Sequence, residues 1–412
     1  MAVGEGGLGG SFDGIICIGG EDWWYHNRGD FDFQIMRRIA RSWPVLFVNS
    51  LAVRMPNPAR DRHFVAKVSR KLQSFAHGVV NVENNFWVYS PVSVPGPVGQ
   101  KLSGFALAPQ IRAAARRAGI SRPLVWMHCP AGAALIGKLA EVATVLQRTD
   151  RFEAFPEADP AVVGAQIAEL KARADLTVYC NSHLMAEEQG QVRRQILVTH
   201  GVDFEIFAKA GARTPLELPE DVKRIRGPRV GFVGGIDAHT FAPEMFVKTA
   251  AALPNVSFVL IGGCSLPEDW CPWPNVHLLG RKPYEAVASY MAAMDVLVMP
   301  WNDSDWIKAC NPIKLKEYLA VGRPVVTTDF PALDGWRDLV FVAKGGAEFA
   351  TAIRTALASA HDAEAARQRV RPESWDAKAE LVRRSILELG LAFEGSASAA
   401  TDRAAGLAAS AG

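Results

Sequence analysis

The chain has 412 residues, of which 49% are hydrophobic and 21% are charged. This composition excludes a wholly disordered or fibrous protein and is sufficient for two domains with large cores. The formal net charge of +2 excludes a strongly basic nucleic-acid-binding protein.

The six cysteines are scattered along the chain without a Cys-x-x-Cys pair. They indicate buried thiols in a reducing compartment rather than a disulfide framework or a zinc site. The first residues lack the apolar segment of a signal peptide, and no apolar run approaches the roughly 18–20 residues that span a bilayer. We therefore expect a cytoplasmic protein, either free or peripheral on the inner face of the cytoplasmic membrane.

Strand and helix patterns alternate along the first half of the chain. Short apolar runs predict strands over 14–18, 45–49, 86–89, 124–127, 143–146, 176–180 and 196–199. Amphipathic spacing predicts helices between several of them, over 31–42, 104–119 and 161–174.

The same alternation restarts in the second half. Strands are predicted over 230–233, 257–261, 276–279, 296–299, 324–327 and 340–342, and helices over 243–252, 284–294, 312–321 and 347–359. Because the strands are continuously apolar and alternate with helices, each half is predicted to form a parallel sheet covered on both faces.

These patterns predict two doubly wound α/β domains in tandem. The first, Rossmann-like, is assigned to 1–208, a linker rich in Pro, Gly and charge to 209–228, and a second Rossmann-like domain to 229–373. A helix within 374–394 is expected to cross back to the first domain, and 395–412, nearly all Ala, Ser and Gly, is predicted to be a disordered tail. Ligands are expected between the two domains, beyond the carboxyl ends of the parallel strands.

The most informative segment is 311–328, which reads NPIKLKEYLAVGRPVVTT. Asn311 suits an N-cap, and Lys314 then lies in the first helical turn, where backbone N–H groups and the helix dipole favour an anion such as a diphosphate. Glu317 shares a face with Lys314, and its carboxylate can accept two hydrogen bonds from a ribose diol. All three residues are candidates for donor binding. An exposed Lys–Glu pair on an ordinary amphipathic helix is the alternative.

This segment resembles the nucleotide-sugar motif of the GT-B glycosyltransferases, and among them the bacterial family 4-like enzymes and the teichuronic-acid and xanthan glucuronosyltransferase-like groups. Further motifs extend the resemblance over most of the chain. They are His200-Gly-Val-Asp203, Gly231-Phe-Val-Gly-Gly-Ile-Asp237, Leu279-Gly-Arg281 with Pro283-Tyr284, and Met294-Asp-Val-Leu-Val-Met-Pro300. The resemblance implies the GT-B fold, in which two Rossmann-like domains face each other across a cleft.

The second domain is then expected to bind a nucleoside diphosphate sugar, with UDP favoured. Gly234 and Gly235 follow a predicted strand, so their backbone N–H groups can approach a phosphate without interference from a Cβ. A simple tight turn is the alternative. Together with Lys314 they form the predicted diphosphate site, while the resemblance assigns Glu317 to the ribose and Arg281 to the base or the phosphates.

One position departs from the resembled pattern. Retaining family 4 enzymes carry a second glutamate eight positions before the one that matches Glu317, and here that position is Ala309. The missing carboxylate favours inversion over retention of the anomeric configuration.

In the first domain, a polar and aromatic loop follows the first long strand. Gly19 and Gly20 follow the strand 14–18 and are expected to face the acceptor or the donor pyrophosphate. The rings of Trp23 and Trp24 suit a sugar ring or a lipid headgroup region. We assign these four residues to the acceptor, with a loop that only plugs the domain as the alternative.

An inverting transfer requires a carboxylate that takes the proton of the attacking hydroxyl. Asp150 is the first candidate, because the xanthan glucuronosyltransferase-like group places its catalytic aspartate in a comparable loop, and Asp22 is the second. His128 ends the strand 124–127 and resembles the active-site histidine of family 4. A surface salt bridge at Asp150 and a structural role for His128 are the alternatives.

No metal or other cofactor is expected. Asp30-Phe-Asp32 and Asp303-Ser-Asp305 match the Asp-x-Asp motif of metal-dependent transferases of another fold. GT-B enzymes normally neutralise the leaving diphosphate with helix dipoles and basic side chains, so we set both motifs aside.

Positive charge is concentrated in residues 60–122, which include ten Lys and Arg residues against two acidic residues. Basic helical patterns with apolar residues on one side are typical of surfaces that dock on anionic membranes. A solvated charged face is the alternative.

We predict a metal-independent glycosyltransferase of polysaccharide or cell-envelope biosynthesis. Its donor is a nucleoside diphosphate sugar, with UDP-glucuronic acid as one candidate, and its acceptor is a glycan or a polyprenyl-linked sugar. A nucleotide-sugar epimerase of the same fold and a non-catalytic sugar-nucleotide-binding protein are the alternatives. A dinucleotide oxidoreductase would need a phosphate-binding fingerprint after a strand, which the sequence lacks.

Overall fold

The computed structural model describes residues 8–25, 29–51, 73–92, 97–154, 159–214, 217–304, 307 and 313–395. These residues form two compact units. Unit 1 includes the described residues up to Thr199 and those from Lys378 onward, and unit 2 is His200–Ala377.

Unit 1 is built on one sheet of mostly parallel strands. The strands are β2 (Gly14–Ile18), β3 (Val45–Val48), β4 (Val79–Glu83), β5 (Phe86–Tyr89), β6 (Pro123–Met127), β7 (Ala143–Arg148), β8 (Leu176–Tyr179) and β9 (Gln195–Leu197). They lie in the order β4-β5-β3-β2-β6-β7-β8-β9, and of the described pairs only β4–β5 is antiparallel. Every residue of β2, β3, β6 and β7 is buried, as the continuous apolar runs predict for strands covered on both faces.

Helices cover this sheet. They are Phe31–Ile39, Pro97–Arg117, Pro160–Arg173 and Ser182–Glu187, with short 3-10 turns at Pro130–Leu135 and Phe152–Ala154. Ile111 and Leu170 of two of these helices pack with Ile16, Val48 and Val125 of the strands in one buried core. A short pair, β1 (Ser11–Phe12) with β16 (Ala392–Phe393), joins the two ends of the described chain within unit 1.

Unit 2 has a second sheet, in which all described pairs are parallel. Its strands are β10 (Arg229–Val233), β11 (Ser257–Ile261), β12 (Val276–Gly280), β13 (Val296–Met299), β14 (Val325–Thr328) and β15 (Phe341–Ala343), in the order β12-β11-β10-β13-β14-β15. The helices are Phe204–Ala212, Glu220–Lys223, Pro243–Ala252, Tyr284–Ala292, Ile313–Val321, Gly346–Ala358 and Ala363–Val370. The helix Trp375–Leu387 begins in unit 2 and continues into unit 1.

Each sheet has a topological switch point, on either side of which the strands follow one another in opposite directions across the sheet. In unit 1 the switch point lies between β2 and β6, and in unit 2 it lies between β10 and β13. Ligands of open parallel sheets bind at such points, beyond the carboxyl ends of the strands. The connections that follow these four strands are therefore the places to look for function.

The division into units differs from the predicted domain boundaries. Unit 1 ends at Thr199 rather than at residue 208, and the predicted linker 209–228 contains the helix Glu220–Lys223. Phe207 is buried in the core of unit 2, and so are Val222 and Ile225 of the predicted linker. A few apolar residues therefore anchor a stretch whose composition is dominated by Pro, Gly and charged residues. The predicted tail falls outside the described residues beyond residue 395.

Candidate active site

In unit 1, a buried aspartate and a histidine meet at the switch point. His128 follows β6 and is 9% exposed. Its Nδ1 lies 2.9 Å from Asp32 Oδ2, and its Nε2 lies 3.1 Å from Thr149 Oγ1. The fully buried Asp32 also accepts hydrogen bonds from the backbone N–H groups of Gly20 (3.1 Å) and Phe33 (2.9 Å). Asp32 belongs to one of the two Asp-x-Asp matches, but in the structure it fixes the orientation of the imidazole.

This pairing shifts the pKa values of both groups. Desolvation is the largest effect on His128 and lowers its pKa, but the charge and hydrogen bond of Asp32, with the charges of Asp150 and Asp30, raise the pKa above its ordinary value. Desolvation raises the pKa of Asp32, but His128 and the two backbone donors bring it below its ordinary value. Since Nδ1 donates to Asp32, the neutral ring presents Nε2 as its basic nitrogen. The arrangement can therefore accept a proton at Nε2.

Asp150 follows Thr149 and lies in the electrostatic field of the histidine. The residue is exposed overall, but loss of water around its carboxyl group raises its pKa. The charges of His128 and Arg148 and a hydrogen bond from Thr149 oppose this effect. Asp150 can thus stabilise a protonated His128.

The loop that carries Asp150 is held by a fully buried arginine at the end of β7. Arg148 donates to both carboxylate oxygens of Glu153 (3.0 and 3.2 Å) and to both of Glu188 (2.6 and 3.3 Å). It also donates to the Asp150 carbonyl at 3.0 Å, and Tyr179 donates to Glu188 at 2.8 Å. Neither sequence periodicity nor motif spacing indicates this network, because Tyr179 and Glu188 are separated in sequence from the loop at residues 148–153.

Two residues assigned to the acceptor lie close to neighbouring rings rather than in open space. A Cβ on Gly20 would lie 2.6 Å from the His128 ring, and one on Gly19 would lie 2.2 Å from the Phe47 ring. Both positions therefore need glycine for close packing, and Gly20 lies directly beside the histidine. Trp24 is partly exposed and stacks on His77 with ring centres 4.2 Å apart.

The assignment of Trp23 to the acceptor is wrong. Its side chain is 2% exposed, and its ring packs against Phe33 and Phe86 with centres 5.4 and 5.0 Å apart. A ring enclosed in the core has no face to offer a sugar. The loop is polar in sequence, but this one indole fills a gap beside the strand β5.

Asp22, the second candidate base, has a structural role in its loop. One carboxylate oxygen accepts from Trp24 N (3.0 Å) and Asn49 Nδ2 (3.3 Å), and the other accepts from Ser74 Oγ (2.8 Å). Both oxygens of this carboxylate are thus engaged by donors that hold the loop. We therefore withdraw Asp22 from the catalytic candidates.

In unit 2, four glycines come together where β10 and β11 end. Gly234 packs against Gly262 so closely that a Cβ on Gly262 would lie 1.8 Å from the Gly234 carbonyl oxygen. A Cβ on Gly263 would lie 2.8 Å from Arg281 Nε, so the guanidinium covers this glycine. Gly235 follows in the same loop. No ion pair or hydrogen bond engages Arg281 within the described part of the chain, which leaves its charge available beside exposed backbone.

The helix Ile313–Val321 follows β13 on the other side of the switch point. The Glu317 side chain is 4% exposed and that of Lys314 is 34% exposed, with Nζ 3.4 Å from Glu317 Oε2. Tyr318 is fully buried, and its hydroxyl accepts from Val233 N at 2.9 Å, which ties the helix to the end of β10. Desolvation raises the pKa of Tyr318, so the hydroxyl stays neutral. The helix thus presents a cation and a nearly buried carboxylate beside the glycine loop.

Several predicted features fall outside the described residues. They are Asn311, the Ala309 position, Asp305 of the second Asp-x-Asp motif, and residues 52–72 and 93–96 around the basic window. In the part of the chain that is described, no helix is long and apolar enough to cross a bilayer.

Part of the chain matches known proteins in sequence. Residues 227–359 match the family model of the glycosyl transferases group 1. TuaH of Bacillus subtilis, which carries the name teichuronic acid biosynthesis glycosyltransferase, is 30% identical over 180 residues. This match covers 40% of the present chain and 43% of TuaH, so it spans less than half of either protein.

Solved structures match the chain over nearly its whole length. Sucrose-phosphate synthase from Thermosynechococcus elongatus is 17% identical, with a TM-score of 0.58 over 92% of this chain and 99% of that chain. HepE of Anabaena, solved in complex with UDP, is 14% identical, with a TM-score of 0.59 over 90% of this chain and 98% of that chain. At these identities the likeness establishes the fold, and the predicted fold class is confirmed. The chain therefore has the GT-B fold, and its residues 227–359 match the group 1 family model.

Proposed function

We propose that the chain transfers a sugar from a nucleoside diphosphate sugar to a hydroxyl of a glycan or polyprenyl-linked acceptor, in polysaccharide or cell-envelope biosynthesis. The observation that carries this proposal is the pair formed by Lys314 and the nearly buried Glu317 at the switch point of the group 1 domain. The name of TuaH supports the class of pathway.

The donor half of the site is assigned to unit 2. The charges of Lys314 and Arg281 and the backbone N–H groups of Gly234 and Gly235 suit a diphosphate, which carries negative charge and accepts hydrogen bonds. Glu317 suits the two hydroxyls of a ribose. UDP is the favoured nucleotide, supported by the UDP that HepE binds, and glucuronic acid is one candidate sugar.

We assign the base to His128 rather than to Asp150. As the acceptor oxygen bonds to the anomeric carbon and the bond to the diphosphate oxygen breaks, the acceptor proton passes to His128 Nε2. Asp32 holds Nδ1 and stabilises the imidazolium, and the field of Asp150 adds to this effect. Direct displacement of this kind inverts the anomeric configuration.

We further propose that unit 1 docks peripherally on the anionic, cytoplasmic face of the membrane through the basic residues between 60 and 122. Arg112, Arg116 and Arg117 are exposed on one helix of this stretch. A polyprenyl-linked acceptor would require such docking.

Incubation with UDP-glucose, UDP-glucuronic acid and GDP-mannose, followed by chromatography of the nucleotides, separates the candidate functions. A transferase releases free UDP, slowly without acceptor and faster with a lipid-linked glycan extract, and His128→Gln abolishes the release. An epimerase converts one UDP-sugar into another without releasing UDP. A protein that binds the nucleotide sugar and does neither would refute the proposed activity.

A further inference from the structure

A basic groove lies on the surface of unit 1, between the helix Pro97–Arg117 and the turn at residues 137–140. One wall includes four helix residues, three of which follow the first at spacings of four, seven and eleven residues, so that all four lie on the same helix face. They are Phe105, Pro109, Arg112 and Arg116. The opposite wall is Gly137, Lys138 and Ala140, and the groove has a volume of about 660 Å³. A smaller cavity of about 220 Å³ adjoins it and is also lined by Arg112 and Arg116.

Three cations face this basic groove without a neutralising carboxylate among its described lining residues. Arg112 and Arg116 are exposed, and no ion pair engages either of them in the described part of the chain. Lys138 Nζ donates to the Ala134 carbonyl at 2.5 Å. The acidic residue that follows in sequence, Glu141, uses both carboxylate oxygens as acceptors for the backbone N–H groups of the turn. The groove is therefore a concentrated positive site.

The same groove exposes a large apolar side chain. Phe105 is 75% exposed, and the centre of its ring lies 5.4 Å from Lys138 Nζ. Exposure of most of a phenyl ring to water is unfavourable relative to burial. An isolated soluble anion would pair with the cations but leave this ring in water. A lipid surface satisfies both, because it offers phosphate groups beside an apolar layer.

We propose that the basic groove binds the phosphate headgroup of an acidic membrane lipid, with Arg112, Arg116 and Lys138 around the phosphate and Phe105 inserted among the acyl chains. This inference rests on the membrane docking proposed above and names its site. The rest of the basic window contributes attraction at longer range, whereas the groove supplies the specific contact.

Co-sedimentation of the full chain with vesicles tests the site. Vesicles of phosphatidylglycerol mixed with phosphatidylcholine are compared with vesicles of phosphatidylcholine alone. Each Lys or Arg at an anionic surface strengthens binding about fivefold. The double variant Arg112→Gln/Arg116→Gln is therefore expected to bind the anionic vesicles about 25-fold more weakly, and Phe105→Ser several-fold more weakly. The control Arg224→Gln/Arg226→Gln, which removes the same charge from exposed positions of unit 2, is expected to bind like the wild type.

The outcomes separate the groove from the general docking and from the catalytic proposal. Equal losses in both double variants would overturn the groove and leave only diffuse attraction. The lipid site would be overturned if the wild-type protein does not bind anionic vesicles, or if free glycerol phosphate at constant ionic strength abolishes that binding. UDP binding is measured on the same variants and is expected to be unchanged, so failure of the groove is distinguishable from failure of the donor site.

Discussion

Replacement of Asp32 by Asn is expected to lower the pKa of His128 and to destabilise unit 1. In the wild type, Asp32 supplies the nearest charge and a 2.9 Å hydrogen bond to Nδ1. Without that charge, desolvation, the largest effect on this histidine, acts against the protonated ring with less opposition. Nε2 then becomes a poorer proton acceptor.

The magnitude follows from the hydrogen bonds of the carboxylate. Asp32 Oδ2 accepts from Gly20 N and His128 Nδ1, and Oδ1 accepts from Phe33 N. Asn offers one oxygen, so its best orientation keeps the first two bonds and turns its amide toward the Phe33 N–H group. One buried donor then lacks a partner, at a cost of about 1–3 kcal/mol. Two bonds also lose the added strength that the charge supplies. We expect a total loss of about 2–4 kcal/mol in the free energy of unfolding.

The pH dependence of this loss has a defined sign. The pKa of His128 is raised in the folded protein, so its contribution to stability is complete below its ordinary pKa and is lost as the pH rises through the folded value. The pKa of Asp32 is lowered, so its contribution is present above its ordinary pKa and is lost as the pH falls through the folded value. The difference between wild type and variant is therefore largest between about pH 4 and pH 6.5.

Proton NMR titration of the histidine rings measures the pKa of His128 directly, with the signal assigned from a His128→Gln spectrum. Asp30→Asn is the matched control, because Asp30 belongs to the same Asp-x-Asp motif and its charge acts on His128 more weakly than that of Asp32. The pKa of His128 is expected to be highest in the wild type, lower in Asp30→Asn and lowest in Asp32→Asn. An unchanged or higher His128 pKa in Asp32→Asn would refute the assigned pairing.

Two further substitutions test the residues that hold the two half-sites. Tyr318→Phe leaves the buried Val233 N–H group without its acceptor. We expect a loss of about 1–3 kcal/mol in the free energy of unfolding, measured by thermal melting, together with weaker UDP binding. Wild-type stability and wild-type UDP binding in this variant would count against Tyr318 as the anchor of the helix. Arg148→Met leaves Glu153 and Glu188 without their cation, with an expected cost of about 3–5 kcal/mol at pH 7. Because the pKa values of both glutamates are lowered, this cost should shrink as the pH falls through their folded values, and a cost independent of pH would contradict the ion-pair account.

The residues of the proposed donor half-site could be located from the sequence because their signals are local. Gly234 and Gly235 directly follow an apolar strand, and Lys314 and Glu317 are three residues apart on one helix. The parallel sheet then places both segments at the switch point. What the sequence could not supply is Tyr318 as the contact that ties the helix to β10, since its partner lies 85 residues away.

The site in unit 1 depends on contacts between distant segments, and the sequence predicts it poorly. His128 and Asp32 are 96 residues apart and meet only because β6 lies beside β2. Within its local motif, Asp32 resembles half of a metal site. The burial of Trp23 also cannot be predicted from local sequence, since it depends on Phe86 from the strand β5 rather than on its polar neighbours.

Binding of nucleotides by calorimetry tests the central claim most directly. UDP, GDP and NADH are titrated into the wild type, Lys314→Ala and the control Lys344→Ala, which removes an exposed lysine elsewhere in unit 2. A charged hydrogen bond to the diphosphate is worth about 1.5–3 kcal/mol, so Lys314→Ala should weaken UDP binding about 10- to 100-fold while Lys344→Ala binds like the wild type. Absence of UDP binding, UDP binding indifferent to Lys314, or a preference for NADH would contradict a nucleotide-sugar site in this domain.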